Sequence, residues 1–272
     1  MIQTMKGIHV TDAIAGSARL RGLLTDESGG MSDADRAAEL RATLVEKLRA
    51  DQKITSPAVE AAFRAVARER FLPADIPLET AYGVDNSVVT KRDQHGVAVS
   101  SVSAAYIQAR MLEQAELRPG MAVLEVGSGG LNAALIAEIV GSEGRVLSVD
   151  IDPEVTDRAA ALLNETGYGG RVRVLVADAE HGVPGEGPFD AIIVTVGAWD
   201  IAPSWLDHLA TDGVLVLPLI MNGVTRTMSL SQPRSRRWTG VDSGSVGTWL
   251  QVSESDQLLA TKRPPSTVLV SM

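Results

Sequence analysis

The first sign of chemistry is a glycine turn with an acid two residues ahead of it. The run Val123-Leu124-Glu125-Val126-Gly127-Ser128-Gly129-Gly130 reads as a short apolar strand, a tight turn and the start of a helix near Leu131. Glycine lets the backbone turn sharply and lets a ligand approach closer than any Cβ permits. The helix start adds unpaired N–H groups that face the ligand. Roughly twenty residues further on, a second apolar run, Val146 to Val149, ends at Asp150, where a carboxylate can accept the hydroxyl protons of a ribose. A third acid, Asp178, follows the run Arg171 to Val176 and is placed to accept from an adenine amino group.

These residues also narrow the ligand. Gly127-x-Gly129 followed at once by Gly130 departs from the dinucleotide fingerprint and lacks the Gly-Lys-Ser/Thr ending of a phosphate loop. Glu125 would repel a pyrophosphate and suits a cationic amino-acid group. Acids at three successive strand ends therefore point to S-adenosyl-L-methionine, which carries a sulfonium and an ammonium but no phosphate. The predicted cofactor set is Glu125, Gly127, Ser128, Gly129, Asp150 with Ile151, and Asp178 with Ala179. The competing reading is a plain βα turn with Asp150 and Asp178 as helix caps. Three acids in register weigh against it.

The elements that must position these groups are legible as apolar runs at 122–126, 145–151, 171–176, 190–196 and 213–219, with helical stretches near 131–141, 153–166 and 200–210. Short runs apolar on both faces suit strands buried in a parallel sheet. The alternation predicts an α/β fold with a doubly wound, mostly parallel, Rossmann-like sheet. Upstream, Leu40, Leu44, Val45 and Leu48 recur at helical spacing. Ser56 and Pro57 open a second helix through Val59, Phe63 and Val66. Residues 74–102 read as a long irregular connection, and a helical stretch runs from Ser103 to Leu117. The expected organisation is a flexible leader (1–34), a small helical module with a substrate loop (35–102), the cofactor-binding core (103–230) and a tail (231–272). In that tail Val246–Val252 and Thr267–Val270 are candidate strands.

The bulk properties exclude several classes. A formal charge of −9 over 272 residues argues against a non-specific grip on nucleic acid; Arg234-Ser235-Arg236-Arg237 is the densest basic run and reads as a solvated face. The absence of cysteine removes disulfides, Cys-based zinc sites and a thiol nucleophile. Four scattered histidines predict no metal site. With no signal pattern and no apolar run of membrane-spanning length, a cytoplasmic, soluble protein without membrane partners is expected. Oligomeric state is not legible.

The stretch from about Leu44 to Leu219 resembles the protein-L-isoaspartate O-methyltransferase family of class I methyltransferases. The marks are Val59-Glu60-Ala61-Ala62-Phe63-Arg64-Ala65-Val66 with Arg70-Phe71-Leu72-Pro73, the glycine turn, Ala133-Ala134-Leu135-Ile136-Ala137, Phe189-Asp190-Ala191-Ile192-Ile193-Val194-Thr195 and Leu215-Val216-Leu217-Pro218. The family usually has one more residue in its glycine turn, and a Gln-Thr-Ile-Ser motif with a proline two residues later. Here Ser100-Ser101-Val102-Ser103 and Ala105 stand in those places. Thr90-Lys91-Arg92-Asp93, Gly197-Ala198-Trp199-Asp200 and Ala179-Glu180-His181-Gly182 look closer to the FxLD-type branch found beside ribosomal peptide natural products.

The resemblance implies a carboxyl O-methyltransferase that acts on an Asp or isoAsp in a peptide or protein. In the branch, the ester collapses to a succinimide that can open to isoaspartate. A carboxylate with a pKa near ~4 is ionised at neutral pH and needs no general base, so the chain has only to hold it in line. By family position Ser103 is the hydroxyl that does so, with Ser101 second; as a bare sequence feature Ser103 reads as a helix N-cap. A precursor peptide is the favoured substrate, and general isoaspartyl repair is the alternative. A third reading is an inactive cofactor-binding partner protein. It is suggested by a tail that aligns with nothing after about Leu230; a truncation or frame change would leave a sheet edge uncovered.

Overall fold

The computed structural model describes residues 31–221, 224–231 and 251–254. Met1–Arg36 and Ala37–Met272 form two units, and the second carries all that follows apart from the first residues of α1. In chain order its elements are α1 (Asp33–Ala50), α2 (Pro57–Ala65), a 3-10 turn (Arg68–Phe71), α3 (Leu78–Ala81), β1 (Val88–Arg92), β2 (Ala98–Val102) and α4 (Ala105–Gln114). Then follow β3 (Ala122–Val126), α5 (Leu131–Val140), β4 (Arg145–Asp150), α6 (Pro153–Glu165), β5 (Val172–Val176), a second 3-10 turn (Ala179–His181), β6 (Phe189–Val194), α7 (Pro203–Asp207), β7 (Leu209–Met221), β8 (Val224–Ser231) and β9 (Gln251–Glu254).

The main sheet has the order β5-β4-β3-β6-β7-β8-β9. β5 to β7 pair in parallel, and β8 and β9 close it antiparallel. Successive strand residues face opposite sides, and the core divides accordingly. Leu124, Val126, Val149, Ile192 and Leu215 pack with Trp205 on one face. Val123, Val146, Ile193 and Val216 pack on the other with Leu44 and Leu48 of α1, Val59 and Phe63 of α2 and Leu135 of α5. Ser56 caps α2 by accepting from Ala58 N at 3.2 Å, with Pro57 in the first turn, as the sequence predicts.

Three elements differ from expectation. The stretch 74–102 is not irregular: β1 and β2 form an antiparallel hairpin, with Val88 opposite Val102 and Arg92 opposite Ala98. Both strands lack a continuous buried face, so neither shows the apolar alternation of a half-buried strand. The turn is fixed instead by Asp93, whose Oδ1 accepts from His95 N and Val97 N, both at 2.8 Å. The helix expected over 200–210 is only Pro203–Asp207, because Leu209 already enters β7. Ser103 is not a helix N-cap: α4 starts after Ala104, with no side-chain cap. In the tail, β9 pairs with β8 and meets the expected 246–252 strand only at Gln251 and Val252, while 246–250, Thr267–Val270 and Arg234–Arg237 lie outside the described residues.

Candidate active site

The strand order turns about β3, which has β4 on one side and β6 on the other. Ligands of doubly wound sheets bind at such a switch point, outside the carboxyl ends of the strands. A cavity of about 280 Å³ lies there. Gly127 to Gly129, Asn132, Glu125 and Asp150 form its floor, and the continuous stretch Ala98–Ser103 forms the opposite wall.

The floor is built by close packing. Gly127 has φ 99°, and a Cβ on it would lie 2.5 Å from Thr195 Oγ1 and 2.7 Å from Val196 Cγ1. Thr195 Oγ1 in turn lies 3.1 Å from Val126 O and 2.9 Å from Gly127 O. At Gly129 a Cβ would meet nothing within 4 Å, so this residue leaves open space on the cavity side. The turn is tied to the next strand by Asp150, whose Oδ2 accepts from Ser128 N (3.1 Å) and whose Oδ1 accepts from Asp152 N (3.0 Å). Asp150 therefore organises the floor and is not a helix cap; Asp152 caps α6.

Glu125 is fully buried, and register places it opposite Ser148. The Ser148 hydroxyl donates to Glu125 Oε2 at 2.5 Å and lies 2.8 Å from the Ser128 hydroxyl. Burial pushes the Glu125 carboxyl up to about 7; Ser148 and the nearby Asn132 amide pull it down, and Asp150 adds to the rise. Glu125 Oε1 and Asn132 Nδ2 are buried without a hydrogen-bond partner of normal geometry. A buried acceptor left unpaired costs about 1–3 kcal/mol, which a cationic ligand group would recover.

The wall is held by polar ties. Thr90 and Ser100 hydroxyls pair across the hairpin at 3.0 Å. Lys91 Nζ reaches Asp152 (2.5 Å) and Glu154 (2.8 Å) at the start of α6, joining the hairpin to the β4 side of the floor. Arg68, 4% exposed, donates to Ala81 O (2.7 Å), Ser103 O (2.7 Å), Asn86 O (3.4 Å) and Gln108 Oε1 (2.6 Å). Ser103 is thus set by a guanidinium 35 residues away, which no local pattern announces.

Of the sequence-predicted residues, Ser101, Ser103, Glu125, Gly127, Ser128, Gly129 and Asp150 line the cavity. Ile151, Asp178 and Ala179 do not line it. Ile151 follows Asp150 and is 71% exposed, and Asp178 caps the second 3-10 turn through Glu180 N. Ala179 is buried, its carbonyl accepting from Trp205 Nε1 at 2.9 Å. Sequence reading missed Thr195, Asn132 and Gln108. The last two are buried amides of α5 and α4, and no sequence signal separates them from the other polar residues of those helices. Among the described residues, no His, Asp or Glu cluster fits a metal, and no helix is long and apolar enough to cross a membrane.

Residues 39–238 match the family model described as protein-L-isoaspartate(D-aspartate) O-methyltransferase (PCMT). A protein-L-isoaspartate O-methyltransferase from Methanopyrus kandleri is 41% identical over 180 residues, covering 66% of this chain and 76% of the relative. Its counterpart from Pyrococcus horikoshii is 39% identical over 190 residues, covering 70% and 81%. A solved protein-L-isoaspartate O-methyltransferase superposes with a TM-score of 0.63 at 28% identity; the match covers 70% of this chain and 59% of that one. A Plasmodium falciparum structure described as a family member in complex with S-adenosyl-L-homocysteine shares the fold, with a TM-score of 0.60 at 17% identity over 70% of this chain and 88% of that one.

Proposed function

The chain belongs to the protein-L-isoaspartate(D-aspartate) O-methyltransferase family, and from that premise we propose that it methylates an Asp or isoAsp carboxylate in a peptide or protein, with S-adenosyl-L-methionine as donor. The observation that carries this reading is the charge of the cavity. Two carboxylates, Glu125 and Asp150, line it, and among the described residues no Lys or Arg does. A phosphate would be repelled there, whereas an ammonium and a ribose are suited to it. The open face of Gly129 and the unpaired Glu125 Oε1 meet the same demands.

When bound, the cofactor supplies a methyl group activated on a sulfonium. Glu125, with Oε1 unpartnered, would accept from the cofactor's amino group, and Asp150, fixed by two loop amides, would accept from its ribose. Ile151 and Asp178, beyond the cavity at the ends of β4 and β5, would receive the adenine. Ser103 orients the acceptor carboxylate by donating its hydroxyl, with Ser101 beside it. The carboxylate is already ionised, so these residues position it and exclude water without taking up its proton.

The favoured acceptor is one aspartate of a ribosomally made precursor peptide. The glycine turn one residue short of the usual family length and the Ser101-Val102-Ser103 segment support it. After methylation, attack of the following backbone amide on the ester expels methanol and leaves a succinimide, which hydrolyses in part to isoaspartate. The repair alternative is separated by incubation with an isoaspartyl peptide and labelled cofactor. A base-labile methyl ester on that peptide favours repair. Its absence, together with methylation or dehydration of a precursor peptide by mass spectrometry, favours tailoring.

A further inference from the structure

The cavity must recognise an anion, yet among the described residues it is lined by no cation. A positive charge nevertheless lies directly behind its wall. Arg68 is 4% exposed and takes part in no ion pair among the described residues; its partners are three backbone carbonyls and the Gln108 side chain. Burial draws its pKa down only to about 10, so it stays cationic at neutral pH. A buried charge without a counter-charge is costly, and here its field opens toward the cavity through Gln108.

Gln108 lines the cavity from α4, between Ile107 and Met111, and is 5% exposed. Its Oε1 accepts from Arg68 Nη1 at 2.6 Å. The amide orientation is fixed by chemistry, because a guanidinium has donors only and must face the oxygen. With that arm committed, the arm left for the cavity is the NH2. Ser103, whose carbonyl the same guanidinium holds, lines the cavity beside it.

We propose that Gln108 is a substrate-binding residue that donates an amide N–H to the methyl-accepting carboxylate, paired with the Ser103 hydroxyl and polarised by Arg68. This rests on the carboxyl-methylation reading above. It gives an acidic acceptor a neutral docking pair backed by a cation that never touches it. Such a pair holds the carboxylate without the tight ion pair that would blunt its nucleophilicity.

The test compares wild type with Gln108→Leu and Gln108→Glu. Leu removes the donors; Glu keeps the shape, pairs with Arg68 and cancels its charge, so that variant folds even if the Leu variant does not. Steady-state kinetics on the accepted peptide are read beside calorimetric cofactor affinity and the thermal midpoint. The expected result is a fall in kcat/KM for the peptide of about 10- to 100-fold, the range for a hydrogen bond to a charged group, and more for Glu than for Leu. Cofactor affinity and the Glu variant's midpoint stay within about twofold and a few degrees of wild type. Unchanged peptide kinetics in both variants, or a cofactor affinity that falls in parallel, overturns the assignment while the methyltransferase reading stands. A folded, cofactor-binding wild type silent on every peptidyl carboxylate overturns both.

Discussion

The two sides of the cavity are built in opposite ways. The floor is strand ends and a glycine turn inside a packed sheet, where Glu125 and Ser148 are fully buried and Gly127 is hemmed in by Thr195 and Val196. The wall is a two-stranded hairpin with exposed Val97 and Val99, anchored in the core only at its base by Val88 and Val102 and tied beyond that by one buried guanidinium and one surface lysine. Packing makes the floor stiff, and perturbing it costs stability. Beyond its buried base the wall is held by a few long-range polar contacts, so perturbing those costs geometry, and the effects fall on substrate handling.

The sharpest way to break this contrast is at the glycines. Gly127→Ala forces a Cβ into a left-handed position against two β-branched side chains, so both strain and overpacking apply, and a loss of about 4 kcal/mol in urea unfolding is expected. Gly129→Ala meets nothing within 4 Å. It leaves unfolding within about 0.5 kcal/mol of wild type and weakens cofactor binding instead. Equal destabilisation by both would mean that the floor is not set by packing around Gly127.

Next in size is Glu125. Its carboxyl is raised from 4.5 to about 7 in the folded chain, so the folded state holds a proton that the unfolded state releases. Stability on this account is whole below about pH 4.5 and is lost as pH rises through 7, a swing of about 3 kcal/mol at 1.36 kcal/mol per unit. Glu125→Gln removes the swing. Without cofactor, the variant gains on wild type between pH 5 and 8 in denaturant titrations, and it loses cofactor affinity. Parallel pH profiles for the two proteins would place the charge elsewhere.

The same contrast explains what could be read in advance. Buried parallel strands announce themselves as short apolar runs, and their ends bring Glu125 and Asp150 to one cavity. The hairpin has no buried face to announce it; only His95-Gly96 after Asp93 hinted at a turn. Ser103 enters by resemblance, and its local reading as a cap does not hold because the cap position of α4 falls one residue later, at Ala104; what Ser103 does carry is a carbonyl bonded to Arg68, distant in sequence. Gln108 and Asn132 carry no signal of their own, because α4 also holds Arg110, Glu113 and Gln114 and α5 also holds Glu138, and spacing alone does not say which of these is buried. On the wall, Ser103→Ala is expected to lower kcat/KM about tenfold, the worth of one hydrogen bond near 1.4 kcal/mol, with cofactor affinity and unfolding unchanged. A matching loss of cofactor affinity would move Ser103 to the floor's side of the comparison.

The smallest effect belongs to Lys91. Its pairs with Asp152 and Glu154 raise its pKa, and they hold Asp152 below the usual carboxylate range, chiefly through the side-chain hydrogen bond. Both groups sit at the surface, where salt screens the attraction and water competes for it. Lys91→Ala should leave the melting midpoint unmoved. What it removes is the tie between the hairpin and the start of α6, so the wall becomes freer to swing from the floor. The expected signature is a rise in the peptide KM with kcat nearly kept, and a flatter salt dependence than wild type, whose own KM should climb toward the variant's as ionic strength increases. A variant that tracks wild type at every salt concentration would show that the Lys91 pairs do not position the hairpin.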